Sequence, residues 1–124
     1  MSALRIATAA ALSLAPLASA QAQPATQVVD VASFSFAPKP IHLAAGRPVT
    51  LIFVNHSGSG HDFTAQRFFA NSRIVAGSAA EGEIELGPHQ TRSVTLVPSA
   101  GTYKAHCSHF MHKQLGMSDA IIVD

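Results

Sequence analysis

The chain has 124 residues with eight Lys or Arg, seven Asp or Glu, seven His, one Cys and no Trp. A formal net charge of +1 without any basic run excludes binding of nucleic acid or anionic lipid through bulk charge. A single cysteine excludes an internal disulfide, and the length allows one domain with one core.

The first residues read as a secretory leader. A short basic start ending at Arg5 precedes an apolar run over residues 6–17, and Ala18-Ser19-Ala20 supplies the small-x-small cleavage pattern. Cleavage is expected after Ala20, with Ala22 as a second option. The apolar run is shorter than the roughly 20 residues of a membrane span, so no span is expected after cleavage. Residues 1–20 are therefore assigned to a signal peptide, 21–27 to a flexible lead-in and 28–124 to the folded domain. Eight Lys and Arg less Arg5 leave seven against seven acidic residues, so the exported domain is near neutral.

Residues 28–36 mix Val and Phe with Asp and Ser in rough alternation, a strand stopped by Pro38 and Pro40. A short strand over 41–45 closes at Gly46. Residues 48–55 (with Val49, Leu51, Ile52, Phe53 and Val54) form the strongest strand pattern, suited to a central position. Ser57, Gly58, Ser59 and Gly60 make a turn, and the chain resumes over 61–69 with His61, Phe63 and Ala65 on one parity. Across 70–82, Asn71 can cap a short helix reaching Ala76 that Gly77 ends, or the segment is a long loop with one helical turn. Residues 83–86 suit an edge strand, with Glu83 and Glu85 facing water. Gly87-Pro88 turns the chain into a strand over 91–97, in which Val94 and Leu96 alternate with Ser93 and Thr95. Strands over 102–106 and 120–123 finish the domain. Seven or eight short strands with almost no helix predict an all-β, Greek-key β-sandwich.

Chemistry concentrates near the C-terminus. Cys107, His112 and Met117 recur as C-x4-H-x4-M in a loop between the last two strands. Thiolate, imidazole and thioether together are donors that soft copper sites prefer, whereas zinc rarely takes a thioether. A lone exported thiol also has to be paired between chains, reactive or metal-bound. The blue-copper set, two imidazoles and a thiolate with a weak axial Met, needs one more histidine. His61 and His56 are the candidates, and His61 is favoured because it begins a strand after a tight turn. His106, His109 and Met111 are surplus donors and a possible secondary metal site; His106 has the opposite strand parity to Cys107. His42 and His89 receive no role.

Gly60-His61-Asp62-Phe63, Gly101-Thr102-Tyr103 and the C-x4-H-x4-M loop resemble a small cupredoxin of the plastocyanin/azurin superfamily, with loop spacing closest to rusticyanin-like members. The resemblance covers the chain from Val28 onward. It implies one type 1 copper with His61, Cys107 and His112 as strong ligands and Met117 as the long axial one. It also implies a periplasmic electron carrier, not an enzyme, that is a monomer meeting a redox partner near His112. Phe110, Met111 and Leu115 would form an apolar ring there. Copper tolerance, buffering or delivery is the alternative role. Many cupredoxins carry Asn after the first histidine where this chain has Asp62, and a carboxylate there is expected to favour Cu(II) and lower the potential.

Overall fold

The computed structural model of the chain describes residues 3–4, 6–15, 23–109 and 117–124. Phe110, Met111, His112 and Leu115 lie outside the described residues, as do Ala18, Ser19, Ala20 and Ala22 of the cleavage region. Residues 6–15 carry no helix or strand and are exposed. No helix among the described residues is long and apolar enough to cross a membrane.

The described strands are β1 (Ala25–Ala32), β2 (Ser35–Ala37), β3 (Ile41–Leu43), β4 (Val49–Asn55), β5 (His61–Thr64), β6 (Arg73–Ala76), β7 (Glu83–Leu86), β8 (Thr91–Val97), β9 (Gly101–His106) and β10 (Ser118–Val123). A helix α1 (Gln66–Ala70) follows β5, and a 3-10 turn (Ala80–Gly82) precedes β7. They form two five-stranded sheets, ordered β2-β1-β4-β8-β6 and β3-β10-β9-β5-β7. The chain switches sheet at every connection from β2 to β9. That is why β1 pairs with β4, and β10 with β3, in parallel while the other pairs are antiparallel.

The period-2 pattern decides which side chains meet between the sheets. Val49, Leu51, Phe53 and Asn55 of β4 are buried and their neighbours only half-buried, so β4 is the central strand that its composition suggested. Val94 and Leu96 of β8 face the same interior. Phe63 of β5 ties the layers together, with its ring centroid 4.9 Å from Phe53, 5.3 Å from Phe36 and 6.4 Å from Phe69. Each such aromatic adds about 0.5–1.5 kcal/mol per ring pair beyond its area burial. This packing holds β5 in place, and β5 begins at His61.

Four expectations need correction. The first strand starts at Ala25, inside the stretch assigned to a flexible lead-in, because residues 25–27 pair in parallel with Val49, Thr50 and Leu51. Their side chains are mostly exposed, so backbone bonds alone hold them and no hydrophobic signal marks them. The helix lies at Gln66–Ala70 rather than 71–76, and the strand at 61–69 stops at Thr64. Asn71 ends that helix, its N–H donating to the Arg67 carbonyl at 3.0 Å. Burial of Phe68 and Phe69 outweighs the capping preference of Asn71, and a five-residue helix depends on such packing. Ile74 and Val75 then continue as the edge strand β6 against β8. With β2 split off after a turn at Phe34 (φ +63°), this makes two more strands than the pattern suggested.

Candidate metal centre

His61 is delivered by a turn that Asn55 holds rigid. At the end of β4 the alternation points Asn55 inward, where it is 1% exposed. Its amide Nδ2 donates to the carbonyls of Ser59 (2.8 Å) and Gly87 (2.9 Å). Its Oδ1 accepts from the Ser57 N–H (3.0 Å) and the Ser57 hydroxyl (2.9 Å). All four hydrogen-bonding valences of the side chain are used, which binds the 56–60 turn to the turn after β7. The chain therefore enters β5 at a fixed point, with His61 1% exposed and opposite Leu86 in the ladder.

Cys107 comes from the exit of β9, on the inward parity shared by Tyr103 and Ala105. Its N–H donates to the Met117 carbonyl at 3.0 Å, so the two ends of the donor loop are stapled together where β9 pairs with β10. Cys107 and Met117 are fully buried. The Cys107 Sγ lies 4.0 Å from His61 Nδ1 and accepts the Asp62 N–H at 3.5 Å. Burial pushes the Cys107 thiol above its ordinary value, against lowering by the amide N–H groups of Asp62 and His109. The carboxylates of Asp62 and Glu85 add to the rise. Without an ion the sulfur thus keeps its proton, which a bound metal has to displace.

Asp62 locks the two donor segments together. Its Oδ1 accepts the Ser108 N–H and the Thr64 hydroxyl, both at 2.8 Å, and its Oδ2 accepts the Ser108 hydroxyl. A buried carboxylate is tolerable because these donors replace its lost hydration. The residue after the first histidine is thus bonded to the residue after the cysteine. A carboxylate does this here through Ser108, whose hydroxyl supplies the extra donor that its second oxygen requires.

The structure separates the two histidine candidates. His61 adjoins the sulfur, whereas His56 is exposed and bonds Asp30 Oδ1 through Nε2 at 2.7 Å. The surplus donors also diverge. His106 lines a groove of about 730 Å³ with Thr64, Arg67, Lys104 and Asp119, while His109 Nε2 meets Glu85 Oε1 at 3.0 Å and Asp62 Oδ2 at 3.7 Å. Met111 lies outside the described residues. Asn55 and Ser108 escaped the sequence reading. The inward parity of Asn55 before a Ser/Gly turn was the available signal for one, and nothing local marked the other.

The buried donors fit a soft first-row ion. Bonds of about 2.0 Å to imidazole and 2.3 Å to thiolate allow at most about 4.3 Å between the two donor atoms, and 4.0 Å satisfies that limit. Met117, whose carbonyl accepts the Cys107 N–H, is fully buried and carries a thioether, a donor type that suits copper better than zinc.

The family profile of the cupredoxin-like domain matches residues 4–123. A chloroplastic plastocyanin of Physcomitrium patens is 33% identical over 119 residues, which cover 93% of this chain and 66% of that protein. Auracyanin A, a "blue" copper protein of Chloroflexus aurantiacus, superposes with a TM-score of 0.60 at 20% identity, over 82% of this chain and 100% of its own. A multicopper oxidase of Aquifex aeolicus superposes with a TM-score of 0.63 at 16% identity, over 82% of this chain but 29% of the oxidase. At these identities the two structures speak for the fold, and the family profile speaks for descent.

Proposed function

This chain belongs to the cupredoxin-like domain family, and from that premise we propose that it is an exported electron carrier holding one copper ion through His61, Cys107, His112 and Met117. The observation that carries the reading is the buried His61 Nδ1 to Cys107 Sγ separation of 4.0 Å, with Met117 also fully buried and its carbonyl bonded to the Cys107 N–H. Bound copper supplies a one-electron Cu(I)/Cu(II) couple. The protein keeps the donors in one arrangement through both states. Asn55 fixes the turn before His61, the Cys107–Met117 backbone bond fixes the loop stem, and Asp62 joins the two segments. The Asp62 N–H donates to the sulfur and steadies its negative charge, while full burial of Cys107 and Met117 keeps water away. The carboxylate of Asp62 adds negative charge beside the pocket and favours the oxidised ion.

His112 is the proposed electron exit, with Phe110, Met111 and Leu115 as the apolar ring for a brief encounter with a redox partner. A donor set of four leaves no open position for a substrate, which argues for a carrier rather than an enzyme. Export to the periplasm rests on the basic-apolar-small pattern of residues 1–20. Copper buffering or delivery is the rival reading, supported by the additional histidines near the loop. Repeated chemical reduction and reoxidation in the presence of a Cu(I) chelator separates them. A carrier retains its copper through the cycles, and loss of copper to the chelator on reduction favours buffering.

A further inference from the structure

We propose that Asp62, Glu85 and His109 form a second cation site, taking a borderline divalent ion such as Zn2+ and independent of the sulfur donor. Sheet register places two of its donors side by side. Asp62 and Glu85 sit directly opposite each other in the β5–β7 ladder, so their carboxylates share one face. Like charges placed opposite each other across a ladder destabilise it unless a cation lies between them. Asp62 is the buried anchor, its side chain 2% exposed. Among the described residues, the only basic group within ion-pair distance of either carboxylate is the His109 imidazole.

The geometry suits a metal ion. His109 Nε2 is 3.0 Å from Glu85 Oε1 and 3.7 Å from Asp62 Oδ2, and one donor atom from each of the three residues falls within 4.8 Å of the others. Tetrahedral donors about 2.1 Å from one ion are roughly 3.4 Å apart, between the two observed values. Glu85 and His109 have side chains 55% and 32% exposed, which gives an ion a path from solvent and room for water as a further ligand. One imidazole with two carboxylates selects zinc-like ions over Mg2+ or Ca2+, which prefer oxygen alone, and over Cu(I), which prefers sulfur. His109 is thus a donor of a different set from the His106, His109 and Met111 grouping that sequence suggested.

Equilibrium dialysis of the copper-loaded full chain against micromolar Zn2+, with excess Mg2+ present, tests the site. One zinc per chain is expected in the native protein, with retention weakened at least about tenfold in Glu85→Gln and in His109→Asn. The same measurement on Cys107→Ser should still retain zinc that Glu85→Gln removes, whether or not the sulfur site proves to hold copper. No retained zinc overturns the proposal. So does zinc binding that is indifferent to Glu85→Gln, a substitution on an exposed side chain that leaves the core intact.

Discussion

The two faces of β9 carry residues of opposite character only one position apart. Tyr103, Ala105 and Cys107 point into the sandwich and are buried, whereas Thr102 and Lys104 are exposed and His106 is half-buried beside a groove. On the inward face the side chains of Asn55 and Asp62 have every polar atom hydrogen-bonded to a named partner, because a buried polar group without one costs about 1–3 kcal/mol. On the outward face water can satisfy whatever the protein does not. The difference teaches where position matters to the metal pocket. A donor on the inward face is held by the sheet register and cannot drift, while a histidine one residue away belongs to a different surface and a different chemistry.

The inward network should be the most sensitive to change. Asn55→Ala removes four hydrogen bonds at the entrance to His61 and is expected to lower unfolding stability by about 1–3 kcal/mol, measured in urea. A stability equal to the native value would mean that the turn does not depend on Asn55. Asp62→Asn is subtler. The amide can accept the Ser108 N–H through its oxygen and reach the Ser108 hydroxyl with its nitrogen, so the two donor segments stay joined while a charge disappears. The reduction potential of the copper form should therefore rise, and an unchanged potential would remove the electrostatic role given to this carboxylate.

Asp119 is an exception to the contrast, a carboxyl on the inward parity of β10 beside Ile121 and Val123. Its Oδ1 accepts the Ala120 N–H at 2.7 Å, and Oδ2 has no partner among the described residues. Burial pushes its carboxyl above the usual range, against lowering by that N–H and by Lys39. A raised folded-state value means the associated stability is fully present below the ordinary carboxylate pKa and is lost as pH climbs through the folded value. Asp119→Asn is accordingly expected to stabilise the metal-free protein at neutral pH, with the gain vanishing in acid. A gain independent of pH would exclude the buried charge as its cause. The smallest effect belongs to the outward face, where Lys104→Ala should stay within about 0.5 kcal/mol of native stability.

What the sequence disclosed follows from the same division. Alternation in β4 and β8 was legible because one face is apolar and the other is not. The C-x4-H-x4-M pattern stood out because three chemically distinctive side chains recur at fixed spacing within one connection; its His112 lies outside the described residues. The preference for His61 over His56 came from position after a turn; the structure buries His61 beside the Cys107 sulfur and leaves His56 exposed. Residues 25–27 were not legible, since exposed strands bonded only through the backbone leave no hydrophobic trace. Nor was α1, where contacts of Phe68 with Tyr103 and Phe69 with Phe63 override the local preference of Asn71. The bond from Asp62 to Ser108 spans 46 positions, and no short-range pattern announces it.

The most direct measurement is the visible absorption spectrum of the copper-loaded protein, recorded alongside alkylation of Cys107. The expected result is a strong band near ~600 nm from a Cu(II)–thiolate bond, a thiol protected from alkylation, and loss of the band in Cys107→Ser. A colourless copper-loaded protein whose Cys107 still alkylates would contradict the assignment of this buried sulfur to a metal centre.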